Sequence, residues 1–120
     1  MNETVDRNRQ KEICRRAHDD LGFTQFVDLY IVDHIDREDR FECVYRARNP
    51  KTLEQACIKV GIPEQDARVE TVSDIWRAAA WFEREAYDLF GIDFEGHTSL
   101  ARLFTPEEFK GSPLRKDFSG

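Results

Sequence analysis

Four side chains near the middle of the chain have the chemistry to do acid–base or metal work: Glu83, Glu85, Asp88 and His97. A histidine with two carboxylates is a weak metal constellation, and a metal-dependent hydrolase using Glu85, Asp88 and His97 is the most chemical reading these residues allow. Their spacing argues against a compact site. On a helix Glu85 and Asp88 share a face, whereas Glu83 points about 160° away from Glu85, so at most two of the three carboxylates converge. Nucleophilic catalysis has less to work with. There is no GxSxG and no glycine-rich phosphate loop after a strand. His18, His34 and His97 are scattered and read as capping or hydrogen-bonding residues. Cys14, Cys43 and Cys57 are odd in number and never form CxxC, so they suggest neither a disulfide framework nor the four thiolates of an iron–sulfur cluster.

The elements that must carry these residues follow from periodicity. Ile13, Ala17 and Leu21 step by four through Asn8 to Leu21, predicting a helix with Gly22 just beyond its end. From Phe23 to Asp33, Val27, Leu29 and Ile31 alternate with Phe26, Asp28, Tyr30 and Val32, the pattern of a strand. Phe41, Cys43, Tyr45 and Ala47 alternate with Glu42, Val44, Arg46 and Arg48 and predict its hairpin partner. Asn49-Pro50 stops that strand. Ala56, Ile58, Val60 and Ile62 then mark a third, and three consecutive strands predict an antiparallel meander. Ser73 is placed to cap a helix whose apolar stripe runs Ile75, Ala79, Phe82, Ala86 and Leu89, with Gly91 as its stop. Ile92-Asp93-Phe94 reads as one more short strand.

Two residues on that second helix need partners. Glu83 lies beside the aromatic shoulder formed by Trp76, Ala80 and Tyr87, and a carboxylate there must be paired or hydrogen-bonded, either in a structural ion pair or in a site. Trp81 sits on the polar side with Arg77, Arg84, Glu85 and Asp88. It is covered by another part of the chain or docks on another protein, Trp and Arg being frequent interface anchors. From Glu95 onward Leu100, Leu103, Phe104, Phe109, Leu114 and Phe118 recur singly among charges, glycines and prolines, which reads as an arm that lies across its own domain or orders on a partner. Domain boundaries follow: 1–94 as an α+β domain and 95–120 as a C-terminal arm. Arg102, Lys110, Arg115 and Lys116 make the arm basic within a chain of net charge −6.

That net charge ranks nucleic acid low among partners. With 120 residues, one domain is expected. No stretch approaches the roughly 20 apolar residues of a membrane span, and the polar start does not read as a signal peptide, so a cytoplasmic-type protein is expected.

The run Phe82-Glu83-Arg84-Glu85-Ala86-Tyr87-Asp88-Leu89-Phe90-Gly91-Ile92, followed by Phe94-Glu95-Gly96-His97, resembles the "ERExxDLFGIxFxGH" signature of the 30-kilodalton-type subunit family of NADH-quinone oxidoreductase (complex I). Gly111-Ser112-Pro113-Leu114-Arg115-Lys116-Asp117-Phe118 resembles the same family's "GxPLRKDF" tail. Thr98 and Ala101 depart from the family's usual Pro and Arg. The resemblance implies an α+β two-layer sandwich, helices on one face of a mixed, largely antiparallel sheet, with an extended C-terminal arm. It further implies a non-catalytic scaffold in the peripheral arm of a respiratory complex, or the equivalent subunit of a membrane-bound energy-converting [NiFe] hydrogenase. Implied partners are the large quinone-site subunit, related to the hydrogenase large subunit, and a small iron–sulfur subunit. On this reading the chain carries no cofactor; iron–sulfur clusters, and flavin or a nickel–iron centre, belong to partner subunits. Membrane association, on the cytoplasmic face, comes only through the complex. The motif positions carried over are Glu83, Arg84, Glu85, Asp88, Gly91, Gly96, His97 and Arg102, with Leu114, Arg115, Lys116, Asp117 and Phe118 in the tail; Trp81 joins them as an interface candidate.

Overall fold

The computed structural model describes residues 1–97. Its frame is a four-stranded sheet in the order β1-β4-β3-β2. The strands β2 (Gln25–Asp33), β3 (Phe41–Arg48) and β4 (Gln55–Ile62) form the antiparallel meander that the alternation predicts. On β3 and β4 the predicted inward residues Phe41, Cys43, Tyr45, Ala47, Ala56, Ile58, Val60 and Ile62 are all buried, and Val44, on the opposite face of β3, is buried as well. The β3–β4 connection is built by Asn49, whose side-chain oxygen accepts from the backbone N–H groups of Lys51 (2.8 Å) and Thr52 (3.2 Å). This Asx-type turn supplies the reversal that Pro50 alone only permits.

The fourth strand, β1 (Asn2–Val5), lies parallel to β4 and has no sequence period of its own. It is polar and four residues long, and it exists as a strand because β4 offers an edge to pair with. The sheet is therefore mixed and largely antiparallel.

In β2 the alternation breaks at one place. Phe26 pairs with Ala47 and Asp28 with Arg46, leaving Val27 as the extra residue of a bulge. Val27, expected on the same face as Leu29 and Ile31, is exposed, and Phe26 turns inward to meet Trp76 and Phe82 at ring-centroid distances of 5.4 and 5.8 Å.

Two helices cover one face of the sheet. The first, α1 (Gln10–Asp19), follows a 3-10 turn at Arg7–Arg9 and buries Gln10, Ile13, Cys14 and Ala17. It stops before Leu21, which is exposed rather than part of the stripe. The second, α2 (Ala79–Phe90), buries Ala79, Glu83 and Ala86. It begins later than its apolar stripe suggests. Residues 73–78 form successive turns, with the amides of Ile75 and Trp76 both donating to the Val72 carbonyl. Ser73 is consequently not the cap, and Ala78 opens the helix with no side-chain cap bond. Trp76 is nevertheless buried, its indole N–H donating to the Phe23 carbonyl at 2.8 Å. Gly91 ends the helix in the left-handed region at φ 74°, its N–H donating to the Tyr87 carbonyl.

A second, two-stranded sheet brackets α2. β5 (Arg68–Glu70) pairs in parallel with β6 (Asp93–Glu95), and α2 is the crossover that parallel pairing requires. Val69, Ile92 and Phe94 enter the same core as both helices and the main sheet. The result is an α+β two-layer arrangement. Among the described residues, no helix is long and apolar enough to cross a membrane.

Candidate functional site

Glu83 is fully buried, and its charge is met from three directions. The Thr71 hydroxyl donates to Oε1 at 2.5 Å and the Val72 backbone N–H donates to Oε2 at 2.8 Å. His97 Nε2 lies 3.7 Å from Oε1. Burial pushes the Glu83 carboxyl above the ordinary range, while the Thr71 and Val72 hydrogen bonds and the nearby imidazole oppose that shift. The same negative charge adds to the desolvation that lifts the Cys14 thiol to about 12. Cys43 is raised in the same direction, by burial first. Both thiols are buried and in the unreactive form at neutral pH.

Thr71 is where four elements meet. With its one hydroxyl proton given to Glu83, its oxygen accepts from the Ser73 backbone N–H at 3.1 Å, and the Ser73 hydroxyl lies 2.8 Å away. Its backbone N–H donates to the Glu95 carbonyl of β6, and its own carbonyl accepts from Lys11 Nζ of α1 at 2.6 Å. Lys11 and Arg15 also reach Asp74, at 2.6 and 2.9 Å. Burial alone would raise the Asp74 carboxyl; hydrogen bonds and charge from Lys11, with Arg15 behind them, hold it below the ordinary range. Glu83 thus ties α2 to the segment between β5 and α2, and Lys11 ties that segment to α1.

His97 closes the other side of the carboxylate. Gly96, at φ 87°, turns the chain after β6, and a Cβ there would lie 3.2 Å from the Thr71 methyl. The turn brings His97 back onto α2, where its Nε2–H donates to the Ala80 carbonyl at 2.9 Å. Its Nδ1 is buried with no hydrogen-bond partner among the described residues. His97 therefore stands on the Glu83 flank of α2, away from Glu85. Glu85 is exposed and Asp88 half-buried. Among the described residues no group of three or more His, Cys, Asp and Glu is arranged to hold a metal ion.

The outward side of α2 is different in kind. Trp81 is 57% exposed, and the Arg84 guanidinium stacks over its ring at 5.2 Å from the centroid. Beside it opens a groove of about 750 Å³ whose walls include Lys11, Asp74, Arg77, Ala80, Trp81 and Gly96. Trp and Arg are among the residue types that most often anchor interfaces, and a guanidinium over an indole face is a cation–π contact.

The motif residues thus divide. Glu83 and His97 are joined inside, Gly91 and Gly96 set backbone turns, and Trp81, Arg84 and Glu85 lie toward the outside. Arg102, Leu114, Arg115, Lys116, Asp117 and Phe118 lie outside the described residues, as does most of the arm. Its first residues, 95–97, belong physically to the domain: Glu95 ends β6 and His97 is buried. Sequence reasoning missed Thr71, Lys11 and Asp74. The signal for Thr71 is weak, since a hydroxyl residue ahead of a helix normally reads as a cap.

Residues 3–120 match the family model described as the respiratory-chain NADH dehydrogenase 30 Kd subunit. Similar curated proteins include the corresponding NADH-quinone oxidoreductase subunit of Neorickettsia sennetsu, 41% identical over 97 residues that cover 81% of this chain and 52% of the relative. The corresponding subunit of Geobacter sulfurreducens is 35% identical over 116 residues, covering 96% of this chain and 72% of that one. The chain therefore spans about half the length of some relatives and nearly three quarters of others. Among solved structures, the trypsin-resistant fragment of Nqo5 superposes with a TM-score of 0.73 at 37% identity, over 80% of this chain and 79% of that one. A chain of the archaeal membrane-bound sulfane sulfur reductase, a respiratory membrane complex, superposes with a TM-score of 0.83 at 30% identity, over 98% of this chain and 70% of that one. With the match running through the α2 motif and across nearly the whole chain, this protein belongs to the family of the 30 Kd subunit of respiratory-chain NADH dehydrogenase.

Proposed function

We propose that the chain is a non-catalytic scaffold subunit in the peripheral part of a complex-I-like respiratory assembly, holding a large quinone-site subunit and a small iron–sulfur subunit together. The observation that carries this reading is the outward flank of α2: Trp81, 57% exposed, with Arg84 stacked on it, beside the Glu83–His97 tie that fixes the helix. The scaffold works by shape. A rigid helix presents an aromatic–guanidinium anchor, the segment beyond His97 supplies a second attachment, and redox centres held by partners stay within transfer distance of each other. The chain itself transfers no electron and binds no cofactor in this proposal; iron–sulfur clusters and flavin reside in the partners. Relatives named as subunits of NADH-quinone oxidoreductase support membership of such an assembly. The Nqo5 trypsin-resistant fragment, similar to this chain over 80% of its length, supports a domain that stands as a folded unit.

A second reading, the equivalent subunit of a complex-I-like assembly with other electron chemistry such as an energy-converting [NiFe] hydrogenase, is favoured by the 0.83 TM-score to the sulfane sulfur reductase complex over 98% of the chain. Purification of the tagged full chain from its native cells tests both. The expected result is recovery with a hydrogenase-large-subunit-like protein and an iron-containing small subunit. Flavin with NADH oxidation indicates complex I; nickel indicates the hydrogenase-type assembly. A chain recovered with no redox protein overturns the proposal.

A further inference from the structure

The sheet ends on β2, and among the described residues no strand pairs with its outer edge. A nine-residue edge strand presents a row of backbone donors and acceptors to any extended segment that arrives. Folded proteins ordinarily blunt such edges with charge, proline or bulges. Here the one bulge, at Val27, lies near the start of the strand. Asp28 is already occupied by a two-point contact from Arg46 at 2.7 and 2.6 Å. From Leu29 to Val32 the edge is apolar or aromatic, with Tyr30 44% exposed.

Helix α2 packs on β2, and the space between helix and strand edge is a small apolar groove of about 170 Å³. Leu29, Ile31, Phe82, Leu89 and Phe90 are among its walls, and Glu85 stands exposed on the helix side of it. A strand added to β2 would send alternate side chains into this groove.

We infer that the β2 edge with its adjoining groove is a second docking surface, which takes an extended segment of a partner subunit, alternating apolar with Lys or Arg residues, as an added fifth strand. The inference rests on the scaffold reading and extends it to a surface that the reading does not use. Three observations select this occupant. Glu85 gives the groove an acidic wall on a chain of net charge −6, which favours a basic segment. Glu85 on the groove wall lies one helical turn beyond Trp81 on the same side of α2, so a segment in the groove would pass close to the proposed anchor. A second copy of the chain is disfavoured because two-fold pairing along β2 would bring Glu85 toward its own copy.

Hydrogen exchange on the full chain, alone and within the purified native complex, tests this. Expected is a slowing of about tenfold or more at every second amide of residues 25–33 on assembly. Glu85→Lys should lower partner recovery about tenfold while leaving the melting temperature of the free chain unchanged. Equal exchange in the free and assembled states overturns the inference and leaves the scaffold reading intact. Protection already present in the free chain and lost on truncation after residue 97, or protection that grows with protein concentration, also overturns it, in favour of the chain's own tail or a second copy. A chain that recovers no other subunit overturns both proposals together.

Discussion

The two flanks of α2 carry neighbouring candidate residues in opposite physical states. On the inward flank Glu83 and His97 are almost wholly buried, and every oxygen of the carboxylate has a donor. On the outward flank Trp81 is more than half exposed and its best-defined contact is a guanidinium lying on its face. A buried carboxylate is tolerated only when hydrogen-bonded, so the inward flank is a device for stability and orientation. An exposed tryptophan contributes little to the stability of a lone chain, and in the proposed scaffold its use lies in contact with a partner. Residues adjacent in sequence therefore need not share a role. The helix period separates them.

This contrast can be broken by substitution. Glu83→Ala should have the largest effect, destabilising the domain by about 3 kcal/mol, because it strands the Thr71 hydroxyl and the Val72 amide in the core and opens a cavity beside His97. Urea unfolding measures this, and a loss well under about 1 kcal/mol would mean that the inward flank does not hold the fold. Trp81→Ala should do the reverse. Its unfolding free energy should stay within about 0.5 kcal/mol of the parent, while affinity for the partner subunits drops by about 2 kcal/mol, roughly thirtyfold. A Trp81→Ala protein that melts early and assembles normally would place that ring in internal packing.

The smallest effect is a matter of sign. Glu83, raised by burial, keeps a proton in the folded state at pH values where the unfolded chain has released it, so its contribution to stability falls as pH rises from the ordinary carboxylate range toward its elevated pKa. Asp74, held low by Lys11 and Arg15 against its own desolvation, contributes stability that is present above the ordinary range and lost as pH falls through its lowered pKa. Stability measured against pH should lose its falling limb in Glu83→Gln and its acid-side loss in Asp74→Asn. The same profile in both variants would contradict the opposed environments of these two carboxylates.

Much of the frame is readable from the chain alone where a period is long enough. Eight alternating residues on each of β3 and β4 fix which side chains face the helices, because a one-residue slip would turn every apolar group to solvent. The stop at Gly91 is legible for the same local reason, a residue able to adopt positive φ at a helix end. β1 and β5 are not legible, since four and three residues carry too little pattern and gain their definition from the strand beside them. The bulge at Val27 is likewise set by pairing with β3, which is why a clean alternation misassigns Val27 and Phe26. Ser73 fails as a cap because the chain makes turns through residues 73–78 before the helix begins, and its hydroxyl is drawn to Thr71.

By itself the sequence determined the family motif, the meander, the second helix and the requirement that Glu83 find a partner. Those follow from local steric preference, hydrophobic period and the desolvation of charge, all of which act along a short stretch of chain. Only the tertiary structure decided which partner. Thr71 and Val72 come from the segment after β5 and His97 from the turn after β6, and they meet Glu83 because parallel pairing of β5 with β6 brings the two ends of the α2 crossover side by side. The same packing left Trp81 outside, since a helix laid on a sheet can bury only one side of itself.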